Sequence, residues 1–233
     1  MVTTLYLVRH GETEGSETKR YKGSIDVPLS EKGIEQMEQL AEYLNRSYKS
    51  YTTYSGLLNA VYCSPLSRAL KSAEIIAETH GLKPVAIEDL RERSFGIWEG
   101  MTFSGIKEKY PEDFEAWANN PLRYSPIGGE STIKVSKRVI NALNMILENH
   151  KNGNNPSSSH FSKAELGGFS GENIAIIAHG GVNRVILCRI LGIPLENIFR
   201  IEQDYAAVNI IEFWDKYPVV KLINGQASLE YKW

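Results

Sequence analysis

Arg9, His10 and Gly11 stand directly after the apolar run Leu5 to Val8, so a guanidinium and an imidazole emerge together from the end of a strand. The pattern recurs far along the chain, where Ile174 to Ala178 runs straight into His179, Gly180 and Gly181. Two strands that each deliver a histidine followed by glycine point to one pocket at one edge of a sheet, since open α/β sheets place ligands at strand carboxyl ends. A lone histidine after a strand is usually a hydrogen-bonded structural residue, but here two coincide and Arg9 adjoins the first. A cation at the end of a buried strand is costly unless something anionic meets it. The combination favours an anion site.

The rest of the chain must position these groups. After the strand Val2 to Val8, the polar stretch Glu12 to Pro28 is long enough to form a loop over the site. Ser30 can cap a helix with Ile34, Met37, Leu40, Ala41 and Leu44 on one face. Tyr48 to Leu58 carries no clear pattern. Ala60 to Cys63 is a short strand ending in Ser64 and Pro65, and the helix after it turns Ala69, Ala73, Ile76 and Ala77 inward before His80 and Gly81 stop it. Pro84 to Ile87 is a further short strand.

Residues 88–130 lack a simple period and are rich in Trp, Phe, Tyr, Gly and Pro, as expected of an insertion of short helices and loops covering the pocket. Helical spacing returns over Thr132 to Asn149. Gly, Ser, Asn and Pro then fill most of 151–172, which reads as a flexible excursion within one domain spanning 1–233. A strand at 173–178, a helix from Val182 to Leu191, and two final strands, Ala207 to Phe213 and Val219 to Ile223, complete the chain. Strands alternating with helices predict an α/β three-layer sandwich: a mostly parallel central sheet with helices on both faces and a small insertion over the pocket.

Composition sets limits on function. Of 233 residues, 42% are apolar and 23% charged, enough for a sizeable core. A net charge of −2 does not suggest a nucleic-acid surface, so positive charge at an anion site must be local. Cys63 and Cys188 sit in apolar surroundings and read as buried small hydrophobes, without metal-ligand spacing. The chain starts with strand-like residues rather than a signal-like segment, and no run is long enough to span a bilayer. The expectation is a soluble, cytoplasmic protein with no membrane or nucleic-acid partner. Its oligomeric state is not written in the sequence.

Four elements now stand in order: Arg9-His10-Gly11, Ser64-Pro65-Leu66-Ser67-Arg68-Ala69, Leu90-Arg91-Glu92-Arg93-Ser94-Phe95-Gly96, and His179-Gly180-Gly181. Together they resemble the histidine phosphatase superfamily, also called phosphoglycerate-mutase-like, over nearly the whole chain. Arg20 to Ser30 followed by Gly33 looks like that family's loop after the nucleophile. The resemblance implies that His10 is a nucleophile forming a phosphohistidine, that Arg9 and Arg68 bind phosphate, and that His179 stabilises the transferring group beside the Gly180 amide. It also implies that Glu92 protonates the leaving oxygen and later activates water.

Elementary chemistry agrees with these roles. Phosphoryl transfer mainly needs positioning and charge neutralisation, and planar guanidinium forks suit phosphate. The two arginines should also lower the imidazole pKa and keep His10 neutral. Arg91 and Arg93 flank Glu92 and would depress its carboxyl pKa unless they point away.

Gly11, Ser16, Lys22, Gly23 and Gly180 are the expected substrate contacts. Here the chain departs from the family, which often carries Trp-Asn where this sequence has Gly15-Ser16; a serine donates one hydrogen bond but presents no amide. Glu12 is either a supporting partner or a surface charge. Trp98, Phe103, Phe114 and Trp117 are read as packing within the insertion.

Gly180-Gly181 resembles phosphatases, whereas cofactor-dependent mutases usually have Gly-Asn there. Gly128-Gly129-Glu130-Ser131 resembles the α-ribazole phosphatase group. The resemblance therefore implies a phosphomonoester hydrolase acting on a small phosphorylated metabolite, α-ribazole 5′-phosphate being one candidate, with no cofactor and no metal. The alternatives are a cofactor-dependent phosphoglycerate mutase and a non-catalytic phosphate-binding protein. The latter would be expected to have lost one of the histidines or arginines.

Overall fold

The computed structural model describes residues 2–18, 20–47, 57–152, 171–215 and 217–227. Six strands, β1 (Val2–Arg9), β2 (Ala60–Cys63), β3 (Val85–Ala86), β4 (Glu172–Ala178), β5 (Val208–Trp214) and β6 (Tyr217–Gly225), form one sheet in the order β3-β2-β4-β1-β5-β6. β1, β2, β3 and β4 run parallel, and β5 is antiparallel to both β1 and β6. The sheet is thus mixed but mostly parallel.

Strand alternation builds the two faces. Leu5 and Leu7 of β1, with Ile174 and Ile176 of β4, face one layer, formed with α5 (Thr132–Lys151) and α6 (Gly180–Leu191). Tyr6, Val8, Ala175 and Ile177 face the other, formed with α1 (Glu31–Ser47) and α2 (Ser67–Glu78). Leu5, Leu7, Ile174 and Ile176 are completely buried, each contributing about 1.5–3 kcal/mol. The apolar face expected for α1 is present: Met37, Leu40, Ala41 and Leu44 are buried, and the Ser30 hydroxyl caps the helix by accepting from the Gly33 N–H at 3.1 Å.

The chain leaves β1 toward α1 on one face and leaves neighbouring β4 toward α6 on the other. Adjacent parallel strands exited in opposite directions open a crevice at their carboxyl ends. β1 and β4 end in register, with Arg9 opposite Ala178.

Several boundaries differ from the sequence expectations. α6 begins at Gly180 rather than Val182, with His179 as its N-cap; glycines are tolerated in a first turn, where close approach matters more than helix propensity. β6 extends beyond 219–223 to Tyr217–Gly225, and β3 shortens to two residues. The 88–130 stretch contains two short helices, α3 (Phe103–Lys109) and α4 (Pro111–Asn119). Lys151 is still helical and Glu172 already strand. The rest of the predicted excursion, 153–170, and the unassigned 48–56 lie outside the described residues. Both cysteines are buried and free. Among the described residues, no helix is long and apolar enough to cross a membrane.

Candidate active site

His10 and His179 leave the ends of β1 and β4 side by side. The His10 backbone N–H donates to the Ala178 carbonyl at 3.0 Å, and the two rings meet edge-on with centroids 5.1 Å apart. His10 Nδ1 lies 2.7 Å from the Gly11 carbonyl. A carbonyl only accepts, so Nδ1 carries the proton and Nε2 of the neutral ring keeps its lone pair. Burial, then the charges of Arg9 and Arg68, hold the His10 pKa well below the usual imidazole value. His179 is lowered in the same way by burial and then by His10, Arg68 and Arg9.

Gly11 fits because nothing larger does. A Cβ there would lie 2.3 Å from the Gly33 carbonyl oxygen at the start of α1.

Arg9 donates through Nη1 to the Gln203 carbonyl at 2.6 Å, and its guanidinium carbon lies 3.9 Å from the centre of the Tyr205 ring. The loop carrying both residues is tied to β1 by Asn209, whose Nδ2 donates to the Leu7 carbonyl and to Gln203 Oε1. Arg9 Nε and His179 Nδ1 are buried and have no hydrogen-bond partner among the described residues. A buried polar nitrogen left unpaired costs about 1–3 kcal/mol, more if charged. Both belong to residues gathered around His10, and an anionic oxygen is the natural acceptor for the Arg9 Nε–H.

Arg68 opens α2. Its helix lacks a side-chain cap of its own, and Asp26 supplies one from the preceding loop, accepting from the Ser67 N–H at 2.8 Å and hydroxyl at 2.7 Å. Arg68 donates through Nη1 to the Ile25 carbonyl and through Nη2 to the Gly23 carbonyl. Three of its five N–H groups remain for other acceptors. Gly23 therefore meets the site through its carbonyl on Arg68. Its positive φ of 52° and the Glu99 carboxylate, 2.5 Å from where a Cβ would lie, both require glycine.

Glu92 docks on the N-terminus of α6. Its Oε2 accepts from the Gly181 N–H at 3.1 Å and its Oε1 from the Arg93 N–H at 2.8 Å. A Cβ on Gly181 would sit 2.5 Å from that carboxylate. Of the flanking arginines, Arg91 pairs with Glu88, while the Arg93 guanidinium donates to the Glu130 and Tyr124 carbonyls and to Thr132 Oγ1 and stays near enough for the Glu92 charge to act on it. Behind Glu92, Arg138 of α5 donates to the carbonyls of Asp89, Arg91 and Glu92 while holding Glu130 with two hydrogen bonds.

Other expected contacts have their hydrogen bonds elsewhere, although the Lys22 charge is near enough to help lower the His10 pKa. Ser16 lies in the 3-10 turn Ser16–Thr18, its N–H on the Thr13 carbonyl, and among the described residues no hydrogen bond joins it to the histidines. Lys22 is committed to Thr13 Oγ1 at 2.6 Å and to the Glu14 carbonyl. Glu12 pairs with Lys32 at 2.9 Å. Gly180 leaves room for cations, since a Cβ there would be 3.3 Å from Arg184 Nη1 and 3.5 Å from Arg9 Nε.

Beyond Glu92 and Gly181 opens a cavity of about 200 Å³ with a largely aromatic and aliphatic lining. Trp98 and Trp117 pack edge-on against each other within the insertion, as expected, and also form part of that lining. Phe103 and Phe114 do pack, edge-on at 4.9 Å.

Ser64 stands in the second motif without a role of its own in the sequence, and Tyr205, Gln203, Arg138 and Arg184 are further residues of the site that the sequence did not single out. Ser64 Oγ lies 2.8 Å from His179 Nε2. It ends a strand at the same sheet edge as the histidines, a signal that was there to read. Tyr205 and Gln203 gave none, because they reach the site from a loop before β5.

Comparison with known proteins accords with this geometry. The family model of the histidine phosphatase superfamily (branch 1) matches residues 5–226. Phosphoserine phosphatase 1 of Hydrogenobacter thermophilus is 30% identical over 94% of this chain and 91% of its own length. The metal-independent phosphoserine phosphatase of Arabidopsis thaliana is 34% identical over 81% and 69%. Among solved structures, the α-ribazole phosphatase of Shigella flexneri superposes with a TM-score of 0.76 at 25% identity, covering 96% of each chain. With its two strand-end histidines, its paired arginines and a family match spanning nearly every residue, this chain belongs to the histidine phosphatase superfamily, branch 1.

Proposed function

We propose that the protein hydrolyses phosphomonoesters through a phosphohistidine on His10. The observation that carries this reading is the His10 tautomer: Nδ1 is tied to the Gly11 carbonyl, so Nε2 is free to attack, beside two arginines. Family membership and the phosphatase names of the relatives support it.

In the first step Nε2 bonds to phosphorus, the bond from phosphorus to the leaving oxygen breaks, and Glu92 gives that oxygen its proton. In the second, water attacks phosphorus, Glu92 takes its proton, and the bond from nitrogen to phosphorus breaks to release phosphate. Arg9 and Arg68 neutralise the phosphoryl oxygens, and neutral His179, its Nε2 accepting from the Ser64 hydroxyl, donates a hydrogen bond to them through Nδ1, as preorganised donors do most effectively in a buried site. Charge of this density lets the reaction run without a metal.

The substrate is a small phosphorylated metabolite. α-Ribazole 5′-phosphate is one candidate, since the flat ring of its leaving group suits the aromatic lining provided by Phe95, Trp98, Trp117 and Phe199. The two free thiols accord with a cytoplasmic location.

The test is hydrolysis of an aryl phosphate and of a panel of sugar phosphates, nucleotides, phosphoglycerates and α-ribazole 5′-phosphate, with and without a chelator. Turnover should survive EDTA and disappear in His10→Ala. Equal activity in that variant, or full loss with EDTA, would overturn the reading, and isomer exchange outpacing phosphate release on phosphoglycerates would make it a mutase.

A further inference from the structure

We propose that Arg184 is a specificity-determining residue that binds a second anionic group on the leaving portion of the substrate, so that the site selects phosphorylated hydroxy acids over phosphomonoesters whose leaving portion is uncharged. The proposal rests on the phosphatase reading and deepens it.

Two arginines line the cavity beyond Glu92, and they differ in what they have left to offer. Arg93 has each of its three nitrogens on a protein acceptor, Glu130 O, Thr132 Oγ1 and Tyr124 O. Arg184 is anchored only through Nε, which donates to the Ile201 carbonyl at 2.7 Å. Among the described residues its terminal nitrogens have no hydrogen-bond acceptor and no carboxylate partner. Anchoring through Nε fixes the plane of the guanidinium and leaves the Nη1–Nη2 edge as a fork for a carboxylate or phosphate.

Within the cavity negative charge is scarce. Among the described residues Glu92 is the single acidic one lining it, with its carboxylate already on the Gly181 and Arg93 amides, while Asp204 acts on Arg9 from the loop before β5. Arg184 and Arg9 crowd together over the bare Cα of Gly180, and Arg184 is among the charges that lower the Arg9 pKa, behind burial, which dominates. Two guanidiniums this close are best reconciled by anions.

Position supplies the substrate class. Arg184 follows Gly180 by four residues and Gly181 by three, on the same helix face. Its Cα lies about one turn into α6, but the side chain leans back toward the helix N-terminus and brings Nη1 over Gly180 beside Arg9, so its guanidinium stands at the border between the phosphoryl site and the cavity. A second anion held there is a near neighbour of the phosphoryl group, as the carboxylate is in a short phosphorylated hydroxy acid, whose carbon skeleton would rest on the cavity-lining Val135, Val185 and Ile198.

The test is a comparison of kcat/KM for wild type and Arg184→Gln on O-phosphoserine and 3-phosphoglycerate against glycerol 1-phosphate, α-ribazole 5′-phosphate and p-nitrophenyl phosphate. The ratio of acid to neutral substrates should fall about 30- to 100-fold in Arg184→Gln, chiefly through KM, the size expected for one lost charge-assisted pair. Arg184→Lys should restore part of it. An equal fall on every substrate, or no fall on the acids, would overturn the proposal. Failure of wild type to hydrolyse anything would sink the phosphatase reading; calorimetric binding to His10→Ala then decides separately. There, O-phosphoserine should bind at least tenfold tighter than glycerol 1-phosphate, with the difference erased in the Arg184→Gln double variant; a difference that persists, or none at the start, refutes the role of Arg184.

Discussion

Replacing Arg138 by methionine isolates the support behind Glu92 from Glu92 itself. Arg138 makes two hydrogen bonds to the Glu130 carboxylate, at 3.0 and 2.8 Å, two at 2.7 Å to the Asp89 and Arg91 carbonyls, and a weaker one at 3.3 Å to the Glu92 carbonyl. Breaking one side of a buried ion pair costs about 3–5 kcal/mol. Both side chains here are 17% exposed, so solvent takes up part of that loss and about 2–3 kcal/mol is expected. At about 2–4 °C per kcal/mol for a chain of this size, the melting temperature should fall by about 5–10 °C, leaving the protein folded at assay temperature.

The catalytic effect of Arg138→Met has a separate signature. Released carbonyls let the Glu92 loop drift, and a displacement of about 1 Å can cost about 100-fold. The loss should be large for alkyl phosphates, whose leaving oxygen needs a proton, and under about fivefold for p-nitrophenyl phosphate, whose leaving group needs little help. In a Glu92→Gln background Arg138→Met should lower the melting temperature as before yet add almost nothing to the loss in kcat. Thermal melts and steady-state rates on the two leaving groups read both effects. Equal losses on both phosphates, or full additivity with Glu92→Gln, would refute the positioning role.

Gly11→Ala should destabilise the fold by about 3 kcal/mol, since the new methyl would lie 2.3 Å from the Gly33 carbonyl and backbone on both sides resists movement. Denaturant titration checks this, and a change below about 0.5 kcal/mol would mean that the β1 exit is looser than described. Acid should destabilise the protein in a defined window. His10 and His179 have pKa values lowered below the ordinary 6.5, so below pH 6.5 the unfolded chain binds more protons than the folded one. Stability is then complete above that pH and falls as pH drops toward the lowered folded values. His10→Asn should shallow the slope by up to about 1.36 kcal/mol per pH unit, seen in urea midpoints between about pH 6.5 and 5; a stability that is flat or rises on acidification would contradict buried neutral histidines.

The architecture was readable wherever a single element carried its own signal. β1 and β4 announced themselves as apolar runs broken by His-Gly, and α1 by its 3.6-residue period and Ser30 cap. The direction of β5 was not readable, because an alternating strand looks the same whether its neighbour runs with it or against it. At the site, residues next to a strand end or in a motif were legible, including His10, Arg68, Glu92 and His179. Residues that act across long sequence distances were not. Arg138 is an ordinary helical arginine until the fold brings three carbonyls to it, and Tyr205 becomes a neighbour of Arg9 only once β5 pairs with β1. Trp98 and Trp117 show a further limit, since an aromatic in an irregular segment can pack and line a cavity at once.

In the proposed reaction the phosphoryl group is carried covalently on His10 Nε2. Rapid quench of the enzyme with a slowly turned-over phosphomonoester, followed by peptide mapping under alkaline conditions that preserve phosphohistidine, tests it directly. An acid-labile phosphoryl group is expected on the peptide carrying His10, formed and discharged at rates matching turnover and missing in His10→Ala. Turnover with no phosphoenzyme at that residue, or an equally phosphorylated His10→Ala protein, would contradict it.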